Sequence, residues 1–414
     1  MNRISTNLPN DNTRFFMQRQ EADRRQVQNQ ISSQERIQNL RDDPVGAAHA
    51  TRFESYSFRL ERYANNIEHA RDSNRVTEGY MQQSVDIMQR VREIAIQGAN
   101  GTYTDQEMRH MAAEVDELLE ELVEIGNAKN GTGDALFAGA RSRSAAFETL
   151  TGTVEGLDGN RITNVMYNGD IMQNMTEIGD GSLVGLNVPG NSFFWAEQQQ
   201  IYSDVDGTDY VAGEDSNFYI DGVRVDVNEG DSVFAVIDRI NNSDAAVQAR
   251  LDPVQDGLVI ESTSPHQLWL QDGDGSVLAD LGIVDPQASR PPDNIAPGAQ
   301  QFGGSAFDMM INLRDRLLAG DQIDVGGASL GGIDQALDNM VGRLAQLGAQ
   351  DSRLELSYDR TMRVKGEIDN QHSREVDVDM AEALTDMRMM EYTHEAALGV
   401  AGRMLPQTLL DFLR

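Results

Sequence analysis

The residues best placed to do chemistry in this chain are acidic. Asp272-Gly273-Asp274-Gly275 alternates carboxylates with glycines, an arrangement with which a loop could ring a calcium ion. Such a loop also needs a glycine at its sixth position and a bidentate glutamate at its twelfth. Val277 and Ile283 stand there, so the segment reads as an acidic turn. The histidines (His49, His69, His110, His266, His372 and His394) form no HxH or HExxH ligand spacing. Cysteine is absent, which excludes disulfide staples and thiolate metal sites and leaves the redox compartment undecided. There is no Gly-x-Ser-x-Gly nucleophile turn and no Gly-x-x-x-x-Gly-Lys phosphate loop. The carboxylates fall on helix surfaces and turns, not as an isolated pair in apolar surroundings, which acid–base catalysis requires. No catalytic residue, metal or cofactor is expected.

A length of 414 residues suits two or three domains. The net charge of -33 excludes a nucleic-acid binder that works by phosphate neutralisation, and it argues against docking on an anionic membrane. The charge is unevenly spread. Residues 1–100 carry 14 Arg and 13 acidic residues, whereas residues 151–300 carry 5 Arg and 25 acidic residues. The ends are therefore charge-balanced, as a packing surface must be, and the middle is a solvated, self-repelling exterior. No segment approaches the roughly 18 apolar residues needed to span a bilayer. The first twenty residues lack an apolar signal core, so export, if it occurs, is expected to leave the N-terminus uncleaved.

With catalysis set aside, the informative spacing is helical. Met380, Ala383, Met387, Met390, His394, Ala397, Ala401 and Met404 fall at intervals alternating three and four. That places one stripe along a helix and calls for a second helix to cover it. A polar His394 at a seam position can fix register. The natural cover is the N-terminal run, a helix expected over 14–40 whose stripe (Phe16, Val27, Ile31, Ile37, Leu40) is sparse. With Leu409, Leu410 and Leu413 near the C-terminus, these residues form the expected coiled-coil and assembly interface. Residues 1–13 are expected to be flexible, with Pro9 and Asn10-Asp11-Asn12 blocking helix.

Pro44 suits the first turn of a second helix and Asp43 its N-cap. That helix is expected to run to about Gln97, ending at Gly98-Ala99-Asn100-Gly101 in a left-handed cap. Thr104 and Glu107 have capping-box spacing, and Met108, Met111, Val115, Leu118, Leu122 and Ile125 give a third helix its seam, antiparallel to the second. Between about 137 and 300 the pattern alternates. It predicts a hairpin over 217–227 on Asp221-Gly222, a short helix capped by Asp231, and strands at 247–251, 258–262 and 267–270. Residues 285–304, with four prolines, read as a linker. Helix resumes at Phe307, and after Gly326-Gly327 and Gly331-Gly332 a final helical run follows, with a stutter or hinge at 365–379.

These features resemble the flagellin superfamily and, within it, the hook–filament junction proteins. Arg3-Ile4-Ser5-Thr6, Asp42-Asp43-Pro44 and Ala99-Asn100-Gly101-Thr102 carry the superfamily likeness. Gly133-Asp134-Ala135-Leu136-Phe137-Ala138-Gly139 and Tyr167-Asn168-Gly169-Asp170 are more typical of the junction branch than of filament flagellin. The stretch at 217–284 is similar to the hook IN repeat, while the end, 404–414, looks like a flagellin terminus and keeps filament flagellin as the alternative. The resemblance implies an α+β fold in which terminal helices pair and a β-rich domain is inserted between them. It implies an assembly-ordered layer at 1–43 and 370–414, a helical rod at 44–136 and 305–369, and an acidic outer domain at 140–300. It also implies a homo-oligomeric ring between hook-associated protein 1 and the filament, a cytoplasmic export chaperone, and secretion through the flagellar type III apparatus. A third reading, a glycan or surface adhesin resting on the β-rich domain, predicts ligand binding by residues 140–300.

Overall fold

The computed structural model describes residues 8–39, 41–101, 103–288 and 290–404. The fold is α+β, with long helices near both ends and a β-rich middle. The chain divides into two compact units, Met1–Asn65 with Tyr358–Arg414, and Asn66–Ser357.

The first unit holds α1 (Leu8–Ser33), the beginning of α2 (Pro44–Ala99), the end of α9 (Leu330–Val376) and α10 (Met380–Met404). Contrary to the sequence reading, helix begins at Leu8 and runs through Pro9 and Asn10-Asp11-Asn12. Proline is tolerated in a first turn because the N–H it lacks would have no intrahelical partner there. The same helix stops at Ser33, short of the expected Leu40, because Gln34 turns left-handed with a φ of 63°. The strand-like stretch that follows pairs with the break between α9 and α10. Arg36 N donates to Val376 O at 2.6 Å, and Val378 N to Gln34 O at 3.0 Å. That break, at 377–379, lies inside the stretch where the heptad phase slips. Asp379 restarts the helix by accepting from the backbone N–H groups of Ala381 and Glu382.

The second unit has two cores. In the first, the remainder of α2, α3 (Asp105–Gly126), α7 (Ala306–Ala319) and the first half of α9 pack with the β1–β2 hairpin. Its strands are β1 (Phe147–Thr153) and β2 (Asn160–Tyr167), antiparallel with a bulge after Leu150. The Thr104–Glu107 capping box opens α3 with both of its reciprocal hydrogen bonds. Cross-helix ion pairs fix the neighbours of α2: Arg90 with Glu114 on α3 at 2.7 Å, and Arg92 with Asp334 on α9 at 2.5 Å. The left-handed cap expected at Gly98–Gly101 does not form, since neither glycine has positive φ. Gly98 instead permits close packing, because a Cβ there would meet Leu317 at 2.6 Å and Val325 at 3.3 Å. The glycine-rich segment expected to interrupt helix is itself helical. It passes from α8 (Gln322–Asp324) through a π-turn at Val325–Ser329 directly into α9, with Val325 and Ser329 buried.

An aromatic cluster fills the centre of this core. Phe137, Phe147, Tyr167, Phe193, Phe194 and Phe307 stack or meet edge-on, with ring centroids 4.8 to 5.9 Å apart. Beneath it lies an ion pair that the sequence pattern does not reveal. Arg314 and Asp116 are each 1% exposed and meet at 2.7 Å. Arg314 also donates to Ile162 O at 2.7 Å, and Arg161 approaches the second oxygen of Asp116 at 3.1 Å.

The second core carries the β-rich domain. Short strands β3 (Met175–Gly179) and β4 (Ser182–Gly185) and the helical turn α4 (Gly190–Phe193) precede it. One sheet runs β10-β6-β7 and another β11-β5-β9-β8. Their strands are β5 (Gln200–Asp206), β6 (Ser216–Ile220), β7 (Val223–Val227), β8 (Val247–Leu251), β9 (Gly257–Ser262), β10 (Leu270–Asp272) and β11 (Gln300–Phe302). The Asp221-Gly222 turn has positive φ at both residues, 50° and 80°, the mirror-image turn whose twist suits a hairpin. Helix α5 (Val233–Asn241) buries Val233, Val236 and Ile240. Its N-cap is Ser232 rather than Asp231, whose carboxylate is taken by Asn228 N and Arg239. The segment 285–304 is not a free linker. Asn294 is buried with its amide donating to Leu270 O, and β11 joins the sheet edge beside β5. In the acidic turn, Asp272 accepts from Leu278 N and Ala279 N at the start of α6 (Val277–Asp280). Burial holds its carboxyl above the usual range.

Candidate assembly interface

Helices α1 and α10 run antiparallel, joined at one end by the Glu35–Asp377 bridge. The least exposed residues of α10 are Ala383, Met387, Met390, His394 and Ala397, the stripe with alternating intervals of four and three. Of these only Ala383 is buried; the others are half-buried. The facing positions on α1 are half-buried too, and Met17, Gln20, Arg24, Val27 and Ile31 recur at three and four. The seam thus carries apolar residues on both helices, interrupted by Gln20 and Arg24 on α1 and by His394 on α10. Inside it, Nδ1 of His394 is buried without a hydrogen-bond partner among the described residues.

The other interface residues named from sequence lie elsewhere. Met380 sits at the helix start, 38% exposed, and Phe16 points outward, 65% exposed. Ile37 lies beyond α1, half-buried in the connecting segment, where a Cβ on Gly46 would meet it at 2.7 Å. The side chains of Ala401 and Met404 lie outside the described residues, as do Leu40, Leu409, Leu410 and Leu413, and the motif residues Arg3-Ile4-Ser5-Thr6 and Thr102.

A second apolar surface flanks the seam and escapes the heptad count. Phe15 and Phe16 on α1, with Leu384, Met389, Tyr392, Leu398 and Val400 on α10, are all exposed. Leu384, Tyr392, Ala396 and Val400 are separated by multiples of four, so they form an inclined stripe beside the seam. This spacing was available in the sequence. A hollow of about 520 Å³ opens between the helices there, lined by Phe16, Met17, Gln20, Thr393, Ala396 and Val400. Phe16, Ala396 and Val400 gather apolar surface at this hollow, beside Arg19 and Asp23, and such a patch marks an interaction site.

Polar contacts hold the base of this unit. The Arg36 guanidinium donates to Glu375 O at 2.7 Å and to Asp43 at 3.2 Å. Asp43 caps α2 by accepting from Gly46 N at 2.9 Å, and that bond, assisted by Arg36, holds its carboxyl below the usual carboxylate range. Further along, Ser57 on α2 donates to Asp369 on α9, which also pairs with Lys365 at 2.9 Å. Both bonds lower the pKa of Asp369.

In the other unit, the two segments with junction-protein character engage each other. The Tyr167 hydroxyl shares its proton between Phe137 O at 2.9 Å and Asp170 O at 2.8 Å. Burial pushes its pKa far up. Asp170 N donates to Ala138 O at 3.1 Å, and its carboxylate accepts from Ala140 N at 2.7 Å. Gly139 has a φ of 66°, and any Cβ there would collide with Asp170.

Residues 4–142 match the bacterial flagellin N-terminal helical region and residues 330–413 the C-terminal helical region, together more than half of the chain. The chain belongs to the flagellin family. Polar flagellin C of Vibrio parahaemolyticus is 22% identical over 420 residues, spanning 99% of both proteins. Flagellar hook-associated protein 3 of Salmonella typhimurium is 25% identical over 154 residues, 37% of this chain and about half (49%) of that protein. Among solved structures, hook-associated protein 3 of Legionella pneumophila overlaps 78% of this chain and 97% of its own, at 18% identity and a TM-score of 0.47. This flagellin-family chain is accordingly a structural component of the flagellum. No helix among the described residues is long and apolar enough to cross a membrane.

Proposed function

We propose that the protein forms the short junction ring that connects the hook to the filament, the role of a hook-associated protein 3. The observation that carries this reading is the lock between residues 133–139 and 167–170. Both segments have junction-protein character, and here they are mutual hydrogen-bond partners.

In this reading copies of the chain close into a ring that contacts hook-associated protein 1 on one axial face and flagellin on the other. Residues 1–43 and 370–414 are the layer that orders on assembly, residues 44–136 and 305–369 the rod, and 140–300 the outer domain. The half-buried α1–α10 seam and its exposed apolar flank supply the surface that copies cover. Such surface would aggregate in the cytoplasm, so a dedicated chaperone covers it before export through the flagellar type III apparatus.

The second reading is filament flagellin, favoured by the end-to-end match to polar flagellin C. Electron microscopy of a deletion strain separates the two. Hooks without filaments, with monomeric filament protein shed into the medium, establish the junction role. A strain that sheds no filament protein, combined with purified protein that grows long filaments from seeds, establishes the flagellin reading.

A further inference from the structure

The outer sheet presents a face that shares no residue with the proposed α1–α10 assembly surface. On β5 and β11, Gln200 pairs with Phe302 and Tyr202 with Gln300, so alternation puts all four side chains on one side. The opposite side is core, where Ile201, Ala249, Leu258 and Ile260 are buried. The outward side is concave. A hollow of about 610 Å³ lies over it, and a second of about 500 Å³ continues it through Glu197, Gln198 and Gln335, which line both.

The chemistry of this groove is specific. Phe302 is 53% exposed and meets Tyr202 edge-on at 5.5 Å. The Tyr202 hydroxyl donates to Gln200 Oε1 at 3.0 Å, and the Gln200 amide donates to Glu261 at 2.9 Å. Arg250 closes the network by donating to the Tyr202 oxygen at 3.1 Å. The floor is therefore held in place before any ligand arrives, which lowers the ordering cost of binding. Above it, the side-chain amides of Gln255, Gln300 and Gln335 make no hydrogen bond to described residues. An amide presents a donor and an acceptor side by side, matching a pair of neighbouring hydroxyls. Glu197, Asp252 and Asp338 add strong acceptors, and Arg250, the cation in the floor, is engaged by Tyr202 and Glu261. Carboxylates repel an anion, while the exposed Phe302 ring suits the C–H face of a sugar ring.

We propose that this groove binds a neutral oligosaccharide along the β5–β11 edge, with Phe302 under a sugar ring, the Tyr202 edge beside it, and Gln300 and Gln335 on the hydroxyls. This goes beyond assembly and uses none of the α1–α10 residues. The experiment is calorimetric titration of the full chain with maltohexaose, cellohexaose and chitohexaose, and with hexagalacturonate as the charged counterpart. At least one neutral hexasaccharide is expected to bind saturably with a Kd of about 1 mM or tighter. Phe302→Ala and Gln335→Ala are each expected to weaken it about tenfold or more at unchanged melting temperature. Absence of binding by all three neutral sugars, preference for hexagalacturonate, or unaltered affinity in both variants overturns the proposal.

Discussion

Replacing Arg314 by methionine tests the part of the molecule on which the rod depends. The pair it forms with Asp116 joins α3, α7 and β2, and both partners are 1% exposed. Removing one member of a buried pair leaves the other desolvated without its counter-charge, a loss of about 3–5 kcal/mol. Asp116 keeps Arg161 at 3.1 Å, which places the expected loss near the lower end, about 3 kcal/mol. For a cooperative unit of this size that lowers the melting temperature by roughly 5 °C. The double variant Asp116→Leu/Arg314→Met removes both charges and fills similar volume, so it is expected to be more stable than Arg314→Met alone. Calorimetric melting of the wild type, both single variants and the double variant closes the cycle. An Arg314→Met protein within about 1 kcal/mol of wild type, or additive losses in the double variant, refutes the reasoning.

In the first unit, Met390→Asp is expected to abolish incorporation into the flagellum while leaving the melting of 66–357 unchanged; equal loss of both would make the seam ordinary core. Asp43 titrates below its ordinary value of 3.8 in the folded chain. Its contribution to the start of α2 is therefore complete above that pH and lost as pH falls through the folded value, and an NMR midpoint at or above 3.8 contradicts the cap. Gly139→Val is expected to destabilise the second unit by about 2 kcal/mol or more, through left-handed strain and collision with Asp170, and to yield hooks without filaments. A stable Gly139→Val protein that supports filaments removes the lock from the argument. In dilute solution, limited proteolysis is expected to cut within α1 and α10 before any site in 66–357; sparing of both helices counts against assembly-coupled ordering.

Much of the architecture is legible in the residues because local rules and tertiary packing agree there. The Thr104 capping box, the Asp221-Gly222 turn and the Ala383–Ala397 stripe each satisfy a local requirement that the fold retains. The misses arise where long-range contacts override local preference. Gly326 and Gly327 look like a break, yet they continue a helix because Val325 and Ser329 are buried beside them. The prolines of 285–304 read as a linker, but Asn294 docks on Leu270, a contact no local pattern announces. Arg314 shares a helix side with Met310, Ile311 and Leu318 in the sequence, but no local pattern names its partner Asp116, 198 residues away. The apolar flank was within reach, but a count restricted to three-and-four intervals passes over Tyr392 and Val400.

The two faces of the α1–α10 pair differ in kind, and that difference bears on how a terminal layer can be exported and then assembled. The seam between the helices sets Ala383, Met387, Met390, His394 and Ala397 against Met17, Gln20, Arg24, Val27 and Ile31, and of these only Ala383 is buried. Side chains that stay half-buried remove only part of their apolar area from water, so this contact offsets only part of the ordering cost of two long helices. Its polar character also limits what the separated strands can do before assembly, because a sparse, charged stripe is a poor template for aggregation. The flank carries the larger side chains, Phe15, Phe16, Met389, Tyr392 and Val400, and none of them is covered among the described residues. Each large apolar side chain contributes about 1.5–3 kcal/mol when fully buried. In the proposed ring, that gain arrives only with a neighbouring copy, which makes folding of the terminal helices and joining of subunits one thermodynamic event. Substituting leucine at Gln20 and Arg24 would uncouple them: the pair would then order in the monomer, export of a prefolded terminus would slow, and secretion would fall even though the ring contacts were untouched.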